Sequence, residues 1–141
     1  MEDRLDALFM CSPFKQVVAS TLSEIKEEYD LKKVDIEVLY FLSVCGDRNT
    51  PTDVYKRLLL NKGHISQAID SLTKHGFITA EIDENDKRCT HYNVTPESSV
   101  ITERVRDLNK AMKKQLLKDI SEDELTVFRT VLDKMYRNIS D

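Results

Sequence analysis

The stretch from Thr50 to Val94 leaves this chain few folds to choose from. Thr50, followed by Pro51 and then by Asp53, is a helix start: hydroxyl and carboxylate satisfy free amide groups, and proline suits the first helical position. The spacing predicts a short helix from Pro51 to Leu59. Asn61 offers a second cap, and behind it Ile65, Ala68, Ile69 and Leu72 fall at the three-and-four spacing that places all four on one buried face. Gly76 stops this second helix, because glycine enters the left-handed conformation of a C-terminal cap without strain. Phe77 to Ile82 then reads as a strand, Asp83 to Lys87 as a charged turn, and Arg88 to Val94 as the returning partner. Two short helices closed by a hairpin make a winged helix-turn-helix.

With that apolar face turned inward, Lys62, His64, Ser66, Gln67, Asp70 and Ser71 occupy the outer face, and Lys74 stands in the last turn. Small or hydrogen-bonding side chains near a helix N-terminus suit a recognition helix that reads base edges in a major groove, and Gln67 matches adenine. The plainer alternative is that every amphipathic helix has a polar face. The hairpin tip weighs against it: Lys87 and Arg88 set two cations beside Asp86, where a wing meets the DNA backbone or a narrow minor groove.

The segment Leu58 to Ile78, LLLNKGHISQAIDSLTKHGFI, resembles the recognition-helix region of the MarR family of bacterial winged helix regulators. Asp86, Lys87 and Arg88 resemble that family's wing signature, in which an aspartate orients an arginine two residues on. The resemblance implies that Asp86 is the orienting carboxylate and Arg88 the cation inserted into the minor groove. It also implies the fold class: mainly α with a small β-hairpin wing, flanked by N- and C-terminal dimerisation helices. Residues 1–141 would then be one MarR-like domain, with the winged core at about 35–94 and the dimerisation helices at about 12–30 and 96–139. A homodimer follows from the same resemblance, as does a small aromatic or carboxylate effector in the cleft between winged domain and dimer helices. Two positions depart from the pattern. Gln67 stands where many members carry an arginine, and Ala80 and Glu81 stand where many carry a basic residue at the start of the wing.

A formal net charge of −4 sits awkwardly with DNA, so its distribution matters. Between Lys56 and Tyr92 there are six Lys or Arg (56, 57, 62, 74, 87, 88) against five Asp or Glu (70, 81, 83, 84, 86), a balance of +1 that leaves −5 elsewhere. Placement of charge, not its total, governs phosphate contact. Binding should therefore depend strongly on salt and be modest without the right sequence. With 40% hydrophobic residues the chain can build one core, and only 3 Gly and 3 Pro against 33% charged residues point to a mostly helical protein.

The flanks carry longer helical patterns. Ser12 and Pro13 open a helix whose inner face is Phe14, Val17, Val18, Leu22, Ile25 and Tyr29. Asp35 is expected to cap the next helix, with Val34 stapled against Leu39, and the helix should run to a loop over Gly46 to Asn49. Thr95 and Pro96 repeat the cap-then-proline signal, predicting a helix to about Asp119 with Ile101, Val105, Leu108, Met112 and Leu116 in one stripe. Ser121 and Glu124 form a capping box before a last stripe of Leu125, Phe128, Leu132, Met135 and Ile139. Such spacing suits packing between subunits, with packing inside one chain as the competitor. Paired helices of this kind can set the separation of about 34 to 36 Å that two recognition helices need on a two-fold site.

The three cysteines have no metal-binding spacing. Cys45 and Cys89 fall inside expected elements and read as core. Cys11 precedes a helix start, where the helix dipole favours a reactive thiolate, and its position resembles that of the sensing cysteine in the peroxide-responsive MarR branch. The tyrosines that would hold such a thiolate are not at that branch's spacing. His64 and His75 read as phosphate or base contacts and His91 as an exposed strand residue. A metal site from His64, His75, His91, Cys89 and nearby carboxylates is the lesser reading: Cys89 and His91, two apart on one strand, share a face, but a site needs further ligands from elsewhere, so no metal and no cofactor are expected. No nucleophile-base pair or glycine-rich phosphate loop points to an enzyme. No secretory signal or membrane span is present, which predicts a cytoplasmic protein without a membrane partner. The expected function is a sequence-specific regulator of double-stranded DNA, a ligand- or stress-responsive repressor acting as a homodimer. The alternative is a winged helix interaction module that does not bind DNA.

Overall fold

A computed structural model describes residues 13–140. The expectations for Cys11 and Ser12, and for the side chains of Phe14, Val17 and Val18, lie outside the described residues. Six α-helices and two strands follow in order: α1 (Pro13–Tyr29), α2 (Lys33–Val44), α3 (Pro51–Leu58), α4 (Lys62–Lys74), β1 (Ile78–Ile82), β2 (Thr90–Val94), α5 (Ser99–Leu116) and α6 (Glu122–Ile139). Compact contacts divide the chain into Met1–Asp107 and Leu108–Asp141, so the division falls within α5.

In the first unit α2 is central and packs against α1, α3, α4 and β2. Its Ile36, Val38, Leu39 and Leu42 are buried together with Leu22 and Ile25 of α1, Val54 of α3, and Ile65, Ala68, Ile69 and Leu72 of α4. Ile78 at the start of β1 and Ile101 and Val105 of α5 complete this core. Each of these Val, Leu and Ile side chains contributes about 1.5–3 kcal/mol on leaving water. The four α4 positions anticipated from spacing are thus the ones that seat the helix. Arg104 of α5 ties α1 from outside, donating to Glu28 and lying 3.9 Å from Glu24.

The hairpin is antiparallel with Ile78 opposite Val94 and Ile82 opposite Thr90. Its strands are shorter than the apolar pattern suggested. Asp83 Oδ1 accepts the amides of Asn85 at 2.8 Å and Asp86 at 2.9 Å, so Arg88 and Cys89 belong to the turn and not to β2.

Two helix starts, one helix end and two cysteines also differ from expectation. The second helix begins at Lys33, and Asp35 sits inside its first turn, where Oδ2 reaches back to accept the Lys32 amide at 2.9 Å. A carboxylate at the third helical position satisfies the same free amides that a cap satisfies from outside, so Asp35 signalled the helix but not its first residue. Val34 therefore lies within the helix and is not a staple before it. Thr95 does not cap: its hydroxyl donates to the Gly76 carbonyl at 2.8 Å, and Pro96–Ser98 form a single 3-10 turn before α5 begins at Ser99. That helix ends at Leu116, short of Asp119, whose φ of +63° takes the chain into the next turn. Cys45 is the half-exposed residue capping the end of α2, and Cys89 is half-exposed in the wing turn, so neither is core. Partial burial pushes the Cys45 thiol above its ordinary pKa.

In the second unit α6 opens with the expected box: Glu124 donates its amide to Ser121 Oγ and its carboxylate accepts the Ser121 amide, both at 3.1 Å. No residue of α6 is buried, and Phe128, Met135 and Ile139 of its predicted stripe are exposed. No described helix is long and apolar enough to cross a membrane.

Candidate nucleic-acid interface

The turn between α3 and α4 is built by caps on both sides. Thr50 Oγ1 accepts the Asp53 amide at 3.2 Å, while Asp53 Oδ2 accepts from both the Thr50 hydroxyl (2.7 Å) and the Thr50 amide (3.2 Å). The Thr50 hydroxyl in particular holds the Asp53 carboxyl below its ordinary pKa. After α3 the chain turns through Leu59 in the left-handed conformation, φ +51°. Asn61 Oδ1 then accepts the Gly63 amide at 2.7 Å and starts α4. A side chain at 63 would bring its Cβ within 3.1 Å of that same oxygen, so glycine leaves the cap room to form.

Because α4 is seated on Ile65, Ala68, Ile69 and Leu72, the side chains of Lys62, His64, Ser66, Gln67 and Lys74 are all exposed. Lys62 has company: its ammonium lies 5.1 Å from the centre of the Tyr55 ring on α3, a cation–π contact that steers the charge toward the helix pair. A cavity of about 410 Å3 opens beside it, lined by Tyr55, Lys62, Ser66, Asp70 and Tyr92 among others. His64 and Gln67 line a separate groove of about 300 Å3 toward Lys32 and Val34. Ser71, grouped with the outer face by its spacing, is half-buried and its hydroxyl donates to Asp35 at 3.3 Å. His75 is packed back on its own helix: Nδ1 is 2.8 Å from the Ser71 carbonyl and its ring stacks on Phe77 with centroids 5.5 Å apart.

The wing carries the second set. Asp86 Oδ1 accepts from the Arg88 amide at 3.1 Å and from Arg88 Nε at 3.3 Å, which bends the guanidinium stem while its remaining N–H groups stay open. The Arg88 side chain is 93% exposed, so this brace is weak in energy and its value lies in direction. Lys87 beside it is also exposed. The two sets of exposed side chains, on α4 and on the wing turn, thus belong to one unit.

Sequence reasoning missed what supports the wing from behind. Asn49, 7% exposed in the loop after α2, accepts the Tyr92 amide on its carbonyl at 3.0 Å and donates from Nδ2 to Asn93 Oδ1 at 3.1 Å. Its Oδ1 faces His91 Nδ1, and His91 Nε2 lies 2.7 Å from Asp83 Oδ2. His91 is thus a half-buried link and not an exposed strand residue. The His91 contact, ahead of the two backbone amides, keeps the Asp83 carboxyl below its ordinary pKa. No short-range rule pairs Asn49 with His91, so the chain offered only one clue: an aspartate at the start of a turn collects the amides that follow it.

Comparison with known proteins places this geometry. Residues 31–98 match the family model described as a winged helix DNA-binding domain. An uncharacterised HTH-type transcriptional regulator of Bacillus subtilis, YkoM, is 25% identical over 121 residues, 86% of this chain and 77% of the relative. The multiple antibiotic resistance protein MarR of Salmonella typhimurium is 26% identical over 110 residues, 74% of this chain and 76% of the relative. Among solved structures, Streptococcus pneumoniae FabT in complex with DNA superimposes with a TM-score of 0.76 at 21% identity, covering 98% of this chain and 97% of that one.

Proposed function

From the premise that this is a winged helix DNA-binding regulator of the MarR family, we propose that it acts as a homodimeric repressor whose α4 enters the major groove and whose wing enters the minor groove. Lys62, His64, Ser66 and Gln67 meet base edges and phosphates from the first turns of α4, and Lys74 and Lys87 contact phosphates. Arg88 enters the minor groove under the direction of Asp86. The winged core, about 35–94, reads DNA, and the helices on either side of it join two copies. The observation that carries this reading is the Asp86–Arg88 brace on a turn whose cation is otherwise open to solvent. The site of action is the cytoplasm, where bacterial DNA lies.

The direct test is retardation of promoter-proximal duplex fragments across a salt series. Replacing Arg88→Ala should weaken binding by about 1–3 kcal/mol, roughly 5- to 150-fold, and flatten the salt dependence. If wild-type protein leaves such fragments unbound even at low salt while another protein co-purifies, the chain is an interaction module and the proposal fails.

A small-molecule effector belongs to the same reading. The cavity of about 410 Å3 beside Lys62 and Ser66, lined by the winged unit and distinct from the cleft expected between winged domain and dimer helices, is in the range of small-ligand sites, and an occupant there would touch the reading face itself. Redox control through Cys11 is a further part of the proposal. Mild hydroperoxide should lower DNA affinity in the wild type and spare Cys11→Ser; an equal response in both discards it.

A further inference from the structure

The base of the wing gathers three metal-binding donors that the DNA contacts leave unused. Asp83, Cys89 and His91 each offer one ligand atom, and those atoms lie within 4.8 Å of one another in partly exposed side chains. We propose that they bind a divalent transition-metal ion, Zn2+ by the chemistry of the donors, and that the ion clamps the wing turn.

A thiolate, an imidazole and a carboxylate form a mixed set that suits zinc, whereas magnesium and calcium seek oxygen alone. The donors come from both ends of one turn. Asp83 follows β1, Cys89 precedes β2, and the Asp83 amide donates to the Cys89 carbonyl at 2.9 Å, so the backbone already closes the loop that a metal would close. His91 is set for the task by a residue far along the chain. The carbonyl oxygen of Asn49, itself fixed by Asn93, faces Nδ1 and leaves Nε2 toward the cluster, the outer arrangement that orients histidines on zinc. Asp83 divides its oxygens: Oδ1 holds the turn amides and Oδ2 faces His91 Nε2 at 2.7 Å.

His91 Nε2 and Asp83 Oδ2 share a hydrogen bond of 2.7 Å. Metal entry replaces it: Nε2, Cys89 Sγ and Oδ2 each form a bond to Zn2+, the proton of that hydrogen bond and the thiol proton pass to solvent, and no electrons change hands. Zinc bond lengths place tetrahedral ligand atoms about 3.3–3.7 Å apart. The Asp83–His91 pair, now 2.7 Å apart, must therefore open slightly to admit the ion, Cys89 Sγ lies within 4.8 Å of both donors, and a water completes the fourth position. Arg88 sits one residue from the thiol, so an occupied site holds the turn that presents it. That last link rests on the reading of Arg88 as a DNA contact; the metal site itself does not.

The test titrates the reduced, chelator-stripped full chain with Co2+ in the absence of DNA. One Co2+ per chain should bind with a thiolate-to-cobalt charge-transfer band, and Zn2+ should displace it. Cys89→Ser should abolish the band and His91→Gln should weaken binding at least tenfold, while Cys45→Ser keeps the band and circular dichroism shows all three folded. A band that survives Cys89→Ser, or no band in the wild type at stoichiometric Co2+, overturns the site. In a second arm, saturating Zn2+ should tighten DNA binding by the wild type severalfold and leave Cys89→Ser unaffected. Wild-type affinity indifferent to Zn2+ overturns the clamp, while the cobalt spectra still decide the site.

Discussion

Asp83 commits one carboxylate oxygen to the wing turn and the other to His91, and Asp53 and Glu124 make comparable bonds at helix starts. All three carboxyls are held below their ordinary pKa, by His91 for Asp83, by the Thr50 hydroxyl for Asp53 and by the Ser121 amide for Glu124. A group whose folded pKa is depressed adds stability that is complete above its unfolded pKa and disappears as pH falls through the folded value. Unfolded carboxyls titrate at about 3.9–4.3. Thermal stability should therefore be level near neutral pH and decline below about 4, with Asp53→Asn Asp83→Asn declining less steeply. Melting curves recorded from neutral to acid pH check this, and equal slopes in the two proteins would refute it.

At the scale of elements, α3 and α4 are short helices, too short to persist alone, and caps and burial supply what length does not. Thr50 alone takes part in three hydrogen bonds with Asp53. Thr50→Ala should cost about 0.5–2 kcal/mol, read as a lower midpoint in urea unfolding with an unchanged slope. An unchanged midpoint would mean that the packing of Val54, fully buried on α3, sets the helix start without the cap.

The whole molecule carries a net charge of −4 and a last helix that buries nothing. Val127 and Phe128 are 64% and 54% exposed and Ile139 is 78% exposed, an apolar run that a lone subunit would keep in water. Dimerisation through this helix, as proposed above, would cover that run. Phe128→Asp combined with Met135→Asp should shift sedimentation from dimer to monomer. DNA affinity should fall at least tenfold, because two linked recognition helices act at high effective concentration. A dimer that persists in this variant would remove α6 from the interface.

The elements whose rules act within a few residues were legible in the chain. The caps at Thr50, Asn61 and Ser121, the stop at Gly76 and the apolar face of α4 are where the pattern puts them, because a helix turn is closed by neighbours three and four positions apart. With α4 so oriented, the exposed side of Lys62, His64, Ser66 and Gln67 followed, whereas the Asp86–Arg88 pair was implied by the resemblance to the MarR wing signature and not by any local pattern. Where the same signal served two arrangements, the boundary moved: Asp35 marks a helix start equally well from inside it, and Thr95 turned its hydroxyl to Gly76 instead of the following helix. Tertiary structure alone decided the bonds that span the chain, Ser71 to Asp35 and His91 to Asn49, and with them the burial of Asn49 and the gathering of Asp83, Cys89 and His91. Those partners meet because packed helices and a paired hairpin bring distant backbone together, and no local preference of either residue records the other.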